Sequence, residues 1–229
     1  MTRPSTLAPA NWRELLSAKD RLALVEAGYL HIRAVAEESA LELMRAAWVR
    51  CLQEPVFPKR GNNDGPNRLE KEPAFLPCLE HPYVLSAVAH VLDGDVGLLK
   101  IRGRDPRQGS GQQGFHVDDA EPVRADRHRM ANAFWMLDDM DEANGATRLI
   151  PGSHRFGRIP PKGLVRPDAR HPQARWIEAR AGDVIVFSAH VWHAGSKNLS
   201  GAPRRIAMAH FARSEVVELH ARPFEPHLS

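Results

Sequence analysis

Two histidines and one aspartate have the residue types and the spacing of a metal-binding set. His116 and Asp118 stand two residues apart in the stretch 114–118. On an extended strand, the alternation of side chains puts both on the same face. Together with His193 far downstream, they make a set of two histidines and one carboxylate. That set suits non-heme Fe(II) and leaves other coordination positions open.

Further motifs follow this set along the chain. They are Asn-Gly at 144–145, Pro-Gly-Ser-His at 151–154, Gly-Asp-Val-Ile-Val-Phe at 182–187, His193, Asn198, Ser200 and Arg204. In this order the motifs resemble the phytanoyl-CoA dioxygenase family of Fe(II)- and 2-oxoglutarate-dependent oxygenases. The resemblance is strong over residues 98–213 and loose before them. It implies a double-stranded β-helix core, which is a cupin-like jelly roll, with Fe(II), 2-oxoglutarate and O2 as cofactor and cosubstrates.

The resemblance also assigns roles to individual residues. His116, Asp118 and His193 would hold the iron, which 2-oxoglutarate would chelate through its 1-carboxylate and 2-oxo groups. Arg204 lies eleven residues after His193, where the family places the arginine for the far carboxylate of 2-oxoglutarate. A guanidinium gives that carboxylate planar bidentate contact. Alternation should turn the adjacent Arg205 away.

An aromatic-rich strand at 131–137 matches another strand of the family. By its register, Phe134 would line the cosubstrate pocket, with Asn132 and Met136 on the same face. Trp135 would then pack outward. Phe134 and Asn132 are therefore the predicted cosubstrate-pocket residues besides the arginine.

One position departs from the family pattern. Related enzymes often carry a serine two residues after the distal histidine, where its hydroxyl helps to hold the cosubstrate. This chain has Gly195 there. Ser196 or a residue of the strand 100–102 are candidate replacements, and the sequence does not decide between them.

The carboxylate of Asp118 bears on the reaction. Related halogenases lack it, so its presence favours hydroxylation of an unactivated C–H bond, with release of succinate and CO2. Some relatives desaturate, cyclise or epimerise instead, and those outcomes stay open. A non-catalytic metal-binding barrel would lack a ligand or Arg204, and a zinc hydrolase would need three zinc ligands beside a general base. The three residues of the set together with Arg204 fit the oxygenase better.

Hydrophobic periodicity predicts an α+β fold that is mainly β, within a single domain. A helical part of about 11–95 should pack on one sheet of a β-helix core of about 96–213, followed by a tail at 214–229. Helices are predicted at 11–27, 37–52 and 75–92. Strands are predicted at 29–35, 97–102, 131–137, 146–150, 174–178, 184–193 and 205–211. The strands at 174–178 and 184–193 should pair, with His190 on the face opposite His193.

Several connecting segments carry weaker expectations. The loop 54–77, rich in proline and asparagine, is either a substrate lid or an ordinary surface loop. Residues 119–130 read as a solvated loop, and 155–172 as a loop without an assignable role. His154 follows a Pro-Gly turn, so it should anchor that turn and not bind metal.

Composition limits the class of protein and of partner. The 229 residues fit one large domain. The pI near 9.1 comes from arginines scattered along the chain, which disfavours a nucleic-acid interface. The sequence has neither a membrane span nor a signal peptide, and its two cysteines form no motif, so a cytoplasmic protein is expected. Arg102, Arg104 and Arg124 would suit a small anionic substrate. The oligomeric state is not predicted.

Overall fold

A computed structural model describes residues 7–53, 65–119 and 127–221. The helices are α1 (Trp12–Leu15), α2 (Ala18–Glu26), α3 (Glu38–Leu52), α4 (Pro77–Glu80), α5 (Pro82–Leu92) and α6 (Ser214–Ala221). The strands are β1 (Tyr29–Ile32), β2 (Gly97–Arg104), β3 (Met130–Met136), β4 (Thr147–Leu149), β5 (Arg175–Trp176), β6 (Val184–Ser188), β7 (His193–Gly195) and β8 (Ile206–Ala212). Short 3-10 turns lie at Leu69–Lys71, Pro73–Phe75 and Ser153–Arg155. No helix within the described ranges is long and apolar enough to cross a membrane.

Two antiparallel sheets enclose the centre of the molecule. The larger sheet has the strand order β1-β6-β3-β8-β2, and the smaller has the order β5-β4-β7. Apolar side chains from β3, β6 and β8 meet Leu149 and Ile177 from the side of the smaller sheet. This arrangement is a jelly roll, and it confirms the predicted fold class.

Strand alternation decides which face of the larger sheet each residue serves. On β3, Phe134 and Met136 belong to the core between the sheets, whereas Ala133 and Trp135 belong to the core under the helices. Trp48 of α3 and the apolar face of α5 fill that second core. The predicted packing of the N-terminal helices on one sheet is therefore confirmed.

The predicted helix at 11–27 is wrong in its extent, because the chain forms two helices there. Leu16 and Ser17 adopt extended backbone conformations between α1 and α2. The Ser17 hydroxyl accepts a hydrogen bond from the Asp20 backbone N–H at 3.1 Å. That cap satisfies a free donor of the first turn and starts a new helix.

The predicted helix at 75–92 is also divided. Pro77 and Pro82 each stand at the start of a helix, and His81 between α4 and α5 is extended with ψ 112°. A residue before proline disfavours helical conformation, which explains the break. The helix predicted at 37–52 is confirmed as α3.

The predicted single strand at 184–193 is wrong. β6 ends at Ser188, whose hydroxyl accepts a hydrogen bond from the His190 backbone N–H at 3.3 Å. Such a local hydrogen bond competes with the sheet ladder. The chain then turns, and His193 opens β7 in the smaller sheet. The predicted pairing of 174–178 with this strand is wrong as well, because β5 pairs with β4 and β6 pairs with β1 and β3.

Part of the predicted 54–77 loop packs firmly on the larger sheet. Leu69 and Phe75 are fully buried, and the Gly103 backbone N–H donates to the Pro66 carbonyl at 2.6 Å. Residues 54–64, on which the lid hypothesis chiefly depends, lie outside the described residues.

Two further predictions fall partly outside the described ranges. Residues 120–126 of the predicted solvated loop, including Arg124, are among them. The predicted tail starts as helix α6. At the start of this helix, the Ser214 backbone N–H donates to Asp95 Oδ1 at 3.2 Å. Residues 222–229 are not described.

Candidate metal centre

Residues 113–118 run beside β7 and bring the two predicted histidine ligands together. His116 and His193 form an antiparallel bridge in which each backbone N–H donates to the other residue's carbonyl, at 2.9 and 3.0 Å. Their ring centroids are 4.3 Å apart. The Asp118 N–H donates to the Ala189 carbonyl at 2.9 Å, so the extended segment continues to the aspartate. Alternation then places Asp118 on the face of His116.

The three predicted ligands converge on one point. His116, Asp118 and His193 each offer one ligand atom, and these atoms lie within 4.8 Å of one another. Asp118 Oδ1 is 3.8 Å from His116 Nε2, and Asp118 Oδ2 is 3.5 Å from His193 Nε2. Two imidazole nitrogens and a carboxylate in this arrangement fit a non-heme Fe(II) centre.

Both histidines are oriented in the same way. His116 Nδ1 lies 3.0 Å from the Gly114 carbonyl, and His193 Nδ1 lies 2.9 Å from the Val191 carbonyl. A proton on each Nδ1 satisfies these carbonyls and leaves the Nε2 lone pairs directed at the cluster. Metal-binding histidines are usually fixed by such a hydrogen bond on the other ring nitrogen.

Asn132 sits behind the cluster. Its amide nitrogen donates to Asp118 Oδ2 at 2.7 Å, and its amide oxygen lies 2.8 Å from His210 Nδ1. The residue faces inward as predicted, but it contacts the candidate ligand Asp118 and is not part of the lining of the adjoining cavity. Phe134, the other predicted pocket residue, does line that cavity.

The charge states of the cluster favour metal binding at neutral pH. Burial, followed by the neighbouring His193, lowers the pKa of His116 to about 4. Burial alone would raise the pKa of Asp118, but His193, His210 and His116 outweigh it and hold that pKa below its usual value. A neutral imidazole and an ionised carboxylate are the forms that coordinate a cation.

Arg204 is completely buried in the interior of the protein. Its Nη1 contacts Met140 Sδ at 3.8 Å, and its Nε and Nη2 have no hydrogen-bond partner among the described residues. Met140 and Phe134 line an apolar cavity that also reaches His193. Burial, followed by Arg104, lowers the pKa of Arg204 to about 9. A buried guanidinium with free donors is costly unless an anion pairs with it.

Arg205, unlike Arg204, is paired with a carboxylate and turned away from the interior, as predicted from alternation. Its Nε and Nη2 donate to the two carboxylate oxygens of Asp138 at 2.8 and 2.7 Å. This bidentate pair occupies the Nε and Nη2 donors of Arg205. Of the two adjacent arginines, only Arg204 retains unused donors toward the interior.

The cavity at the cluster includes Phe134, which is predicted from the sequence, and Arg102 and Arg104, which the sequence suggests for an anionic substrate. Gln113, Thr147 and Met208 have no role assigned from the sequence. The three candidate ligands and Gly195 also line the cavity. Arg102 and Arg104 alternate on β2, which is the signal that could have placed them together. Ser196, a candidate replacement for the missing serine, lines a different pocket with Arg148 and Trp176.

Two other histidines take structural positions. His154 Nε2 lies 3.1 Å from the Val25 carbonyl, which fits the predicted anchoring of its turn. His190 Nδ1 lies 3.3 Å from His128 Nδ1, and its Nε2 lies 3.4 Å from Asp119. Neither joins the candidate metal cluster.

Sequence comparisons agree with this geometry. A family model described as phytanoyl-CoA dioxygenase (PhyH) matches residues 24–206. A protein named dioxygenase af480 from Aspergillus fumigatus is 26% identical over 245 residues, which cover 95% of this chain and 74% of that protein.

Solved structures of similar fold include SnoN and HygX. The non-heme α-ketoglutarate-dependent epimerase SnoN from nogalamycin biosynthesis has a TM-score of 0.69 at 19% identity, covering 86% of this chain and 82% of SnoN. HygX from Streptomyces hygroscopicus, with nickel, 2-oxoglutarate and hygromycin B bound, has a TM-score of 0.71 at 17% identity. That alignment covers 87% of this chain and 88% of HygX. At these identities, the structural likeness establishes the fold.

Proposed function

Because this chain belongs to the phytanoyl-CoA dioxygenase family of Fe(II)- and 2-oxoglutarate-dependent oxygenases, we propose that it hydroxylates an unactivated C–H bond of a small anionic molecule. Succinate and CO2 would be the coproducts. The observation that carries the proposal is the convergence of His116, Asp118 and His193 within 4.8 Å.

In this proposal the three converging side chains hold the iron. The Nδ1–H groups of His116 and His193 donate to the Gly114 and Val191 carbonyls, which keeps both Nε2 lone pairs available. When bound, the iron supplies the coupling of 2-oxoglutarate decarboxylation to O2 activation. The apolar side chains of the neighbouring cavity, Phe134 and Met140 among them, exclude water from the reacting groups.

Arg204 is proposed to bind the far carboxylate of 2-oxoglutarate. Its free Nε and Nη2 donors and its burial suit a planar, charge-assisted contact with a carboxylate. Met140 limits the space on one side of the guanidinium. The arginine thereby sets the orientation of the cosubstrate relative to the metal.

The anionic character of the substrate is proposed from Arg102. This residue lines the cavity beside the candidate ligands, and its Nε is buried without a hydrogen-bond partner among the described residues. A carboxylate, phosphate or sulfate on the substrate would satisfy that donor. HygX, which shares the fold, binds the small molecule hygromycin B.

Epimerisation is the second candidate reaction. The epimerase SnoN shares this fold and depends on α-ketoglutarate, so this fold and this cosubstrate are compatible with an outcome other than hydroxylation. Desaturation and cyclisation belong to the same group of alternatives. A product heavier by one oxygen atom would support hydroxylation, and a product of unchanged mass would support epimerisation.

The first experiment tests the site without knowledge of the substrate. Fe(II) and 2-oxoglutarate are added to the protein without O2, and the weak visible charge-transfer band of the chelate is recorded. We expect the band in the wild type and in Arg205→Ala, and its loss in His193→Ala and Arg204→Ala. Absence of the band in Fe(II)-loaded wild type would overturn the proposal in favour of a non-catalytic metal-binding barrel.

A further inference from the structure

Gly195 lies two residues after the candidate ligand His193, and the space beside it is filled. A Cβ at this position would lie 2.6 Å from Arg104 Nη2, 2.6 Å from the Gly111 carbonyl oxygen and 2.9 Å from Gln113 Oε1. Separations this short do not occur for real Cβ atoms, so a side chain at 195 would displace its neighbours. Glycine is therefore required by what stands next to it.

The guanidinium of Arg104 takes up that space. The residue ends β2, and its Nη2 donates to the Gly111 carbonyl at 2.8 Å. Gln113 closes the arrangement, because its N–H donates to the Gly195 carbonyl at 2.9 Å and its Oε1 accepts from the Gly195 N–H at 3.1 Å. Arg104 is thus held at a fixed place on the wall of the cavity that contains His116 and Asp118.

The electrostatics around Arg104 call for an anion. Burial, followed by Arg102, lowers the pKa of Arg104 to about 10, and Arg104 in turn lowers the pKa of Arg204. Arg104 lines the same cavity as Asp118, whose carboxylate acts on the pKa of Arg104 in the opposite sense without cancelling the effect of burial. Two guanidinium groups that oppose each other's charge inside the protein are stabilised by an anion that both can reach.

We propose that Arg104 is a second cation for the far carboxylate of 2-oxoglutarate, admitted to the cavity because position 195 is glycine. The inference rests on the proposed function and adds to it a residue from β2. In this arrangement Arg104, at the end of β2, and Arg204, two residues before β8, bind one carboxylate. The hydroxyl that a serine at 195 would offer is replaced by a charged donor, which makes the site more selective for a dicarboxylate.

A pair of 2-oxo acids tests this assignment directly. 2-Oxoglutarate and 2-oxopentanoate have the same metal-chelating end, but only the former has a far carboxylate. Both are titrated without O2 into Fe(II)-loaded wild type and into Arg104→Met, Arg104→Lys and Gly195→Ala, with the charge-transfer band as the readout of binding. Arg33→Met, at an exposed position, is the matched control for loss of one positive charge.

Loss of a charge-assisted contact predicts that Arg104→Met weakens 2-oxoglutarate binding by about 10- to 100-fold. The affinity for 2-oxopentanoate should stay within about twofold of wild type, and Arg104→Lys should lose less than Arg104→Met. Gly195→Ala should also weaken 2-oxoglutarate selectively, because its methyl group displaces the guanidinium. Arg33→Met should bind both acids as the wild type does.

Other outcomes overturn the assignment and identify the step that fails. Equal losses for both acids would place Arg104 at the chelating end, and unchanged affinities would leave it only its hydrogen bond to Gly111. In either case, a selective loss of 2-oxoglutarate binding in Arg204→Met would leave the proposed function intact. If Fe(II)-loaded wild type bound neither acid, the proposed function itself would fail.

Discussion

The side-chain amide of Asn132 links the buried carboxylate of Asp118 to the buried imidazole of His210. It donates to Asp118 Oδ2 and faces His210 Nδ1 with its oxygen. Asn132→Leu keeps the shape but leaves the Asp118 carboxylate without this donor. We expect metal affinity to fall by about 10- to 100-fold and the free energy of unfolding to fall by about 1–3 kcal/mol. Competition with a chelator measures the first effect, and urea unfolding measures the second.

Asn144 provides the matched control for this prediction. It is equally buried, but its amide donates to the Asp139 carbonyl at 2.7 Å, in a turn outside the metal cluster. Asn144→Leu should lower stability and leave metal affinity unchanged. If Asn132→Leu bound metal as tightly as wild type, the Asn132–Asp118 hydrogen bond would have no role in holding the ligand.

His128 makes the stability of the fold depend on pH. Burial, followed by His154 and His190, lowers its pKa from 6.5 to about 4, with Arg213 acting in the same sense and Asp119 against it. Between these two pH values the unfolded chain binds more protons than the folded one. The folded state therefore loses stability as the pH falls through this window.

We expect His128→Gln to reduce that dependence. One proton taken up only by the unfolded state corresponds to about 1.4 kcal/mol per pH unit, so the wild type should lose up to this amount per unit from this residue. Urea unfolding of both proteins at several pH values between 4 and 7 measures the difference in slope. Parallel stability curves for wild type and variant would show that His128 does not titrate in this way.

At the scale of elements, the segment 155–172 lies across the extended segment 113–118 that carries His116. The Phe115 N–H donates to the Leu164 carbonyl at 2.9 Å, and Gln112 Nε2 donates to the Pro167 carbonyl at 2.7 Å. A Cβ on Gly114 would overlap the carbonyl of Val165. The segment, to which the sequence assigned no role, therefore covers the backbone of the candidate metal site.

Gly114→Ala should separate this segment from the extended segment 113–118. Because the Gly114 carbonyl also holds His116 Nδ1, we expect weaker metal binding together with faster proteolysis within 155–172. Gly163→Ala is the control within the same segment, since a Cβ there meets nothing within 4 Å. Identical metal affinity and proteolysis for the two variants would contradict the covering role.

The strand faces were predictable because alternation is a local property. Asn132, Phe134 and Met136 could be assigned to one face of β3 from the sequence alone. The end of β6 could not be predicted from the sequence. Val191 and Trp192 continue the apolar pattern of the strand beyond the turn at Ser188. The turn moves His193 into the other sheet, where it meets His116 by pairing between distant segments.

The candidate ligands were predictable for a different reason. His116 and Asp118 stand close together in the sequence. The resemblance of the later motifs to the family then assigns the roles of His193 and Arg204. The contact of Arg104 with Gly195 depends on how β2 lies against β7 and on the path of residues 105–114. Neither the spacing nor the alternation of the sequence contains that information. The sequence therefore marks Gly195 as a departure and Arg104 as a possible anion-binding residue, but it does not predict that the two are in contact.

At the scale of the whole molecule, the larger sheet separates two interiors. The helices cover one face, and the candidate metal and cosubstrate cavities open on the other. β3, β6 and β8 contribute side chains to both, in alternation. A substitution on the helix-covered face should therefore alter the stability of the fold alone. A substitution on the face of the cavities should alter both stability and the binding of metal or cosubstrate.

Ile185 and Val186 test this division from neighbouring positions on β6. Val186 is buried under the helices, and Ile185 is buried in the apolar cavity with Phe134 and Met140. Ile185→Ala should cost about 2–5 kcal/mol of unfolding free energy, and Val186→Ala about 2 kcal/mol. Only Ile185→Ala should also change the affinity for 2-oxoglutarate, measured by anaerobic titration of the Fe(II)-loaded protein. An equal change in affinity for both variants would mean that the sheet transmits helix-side packing to the site.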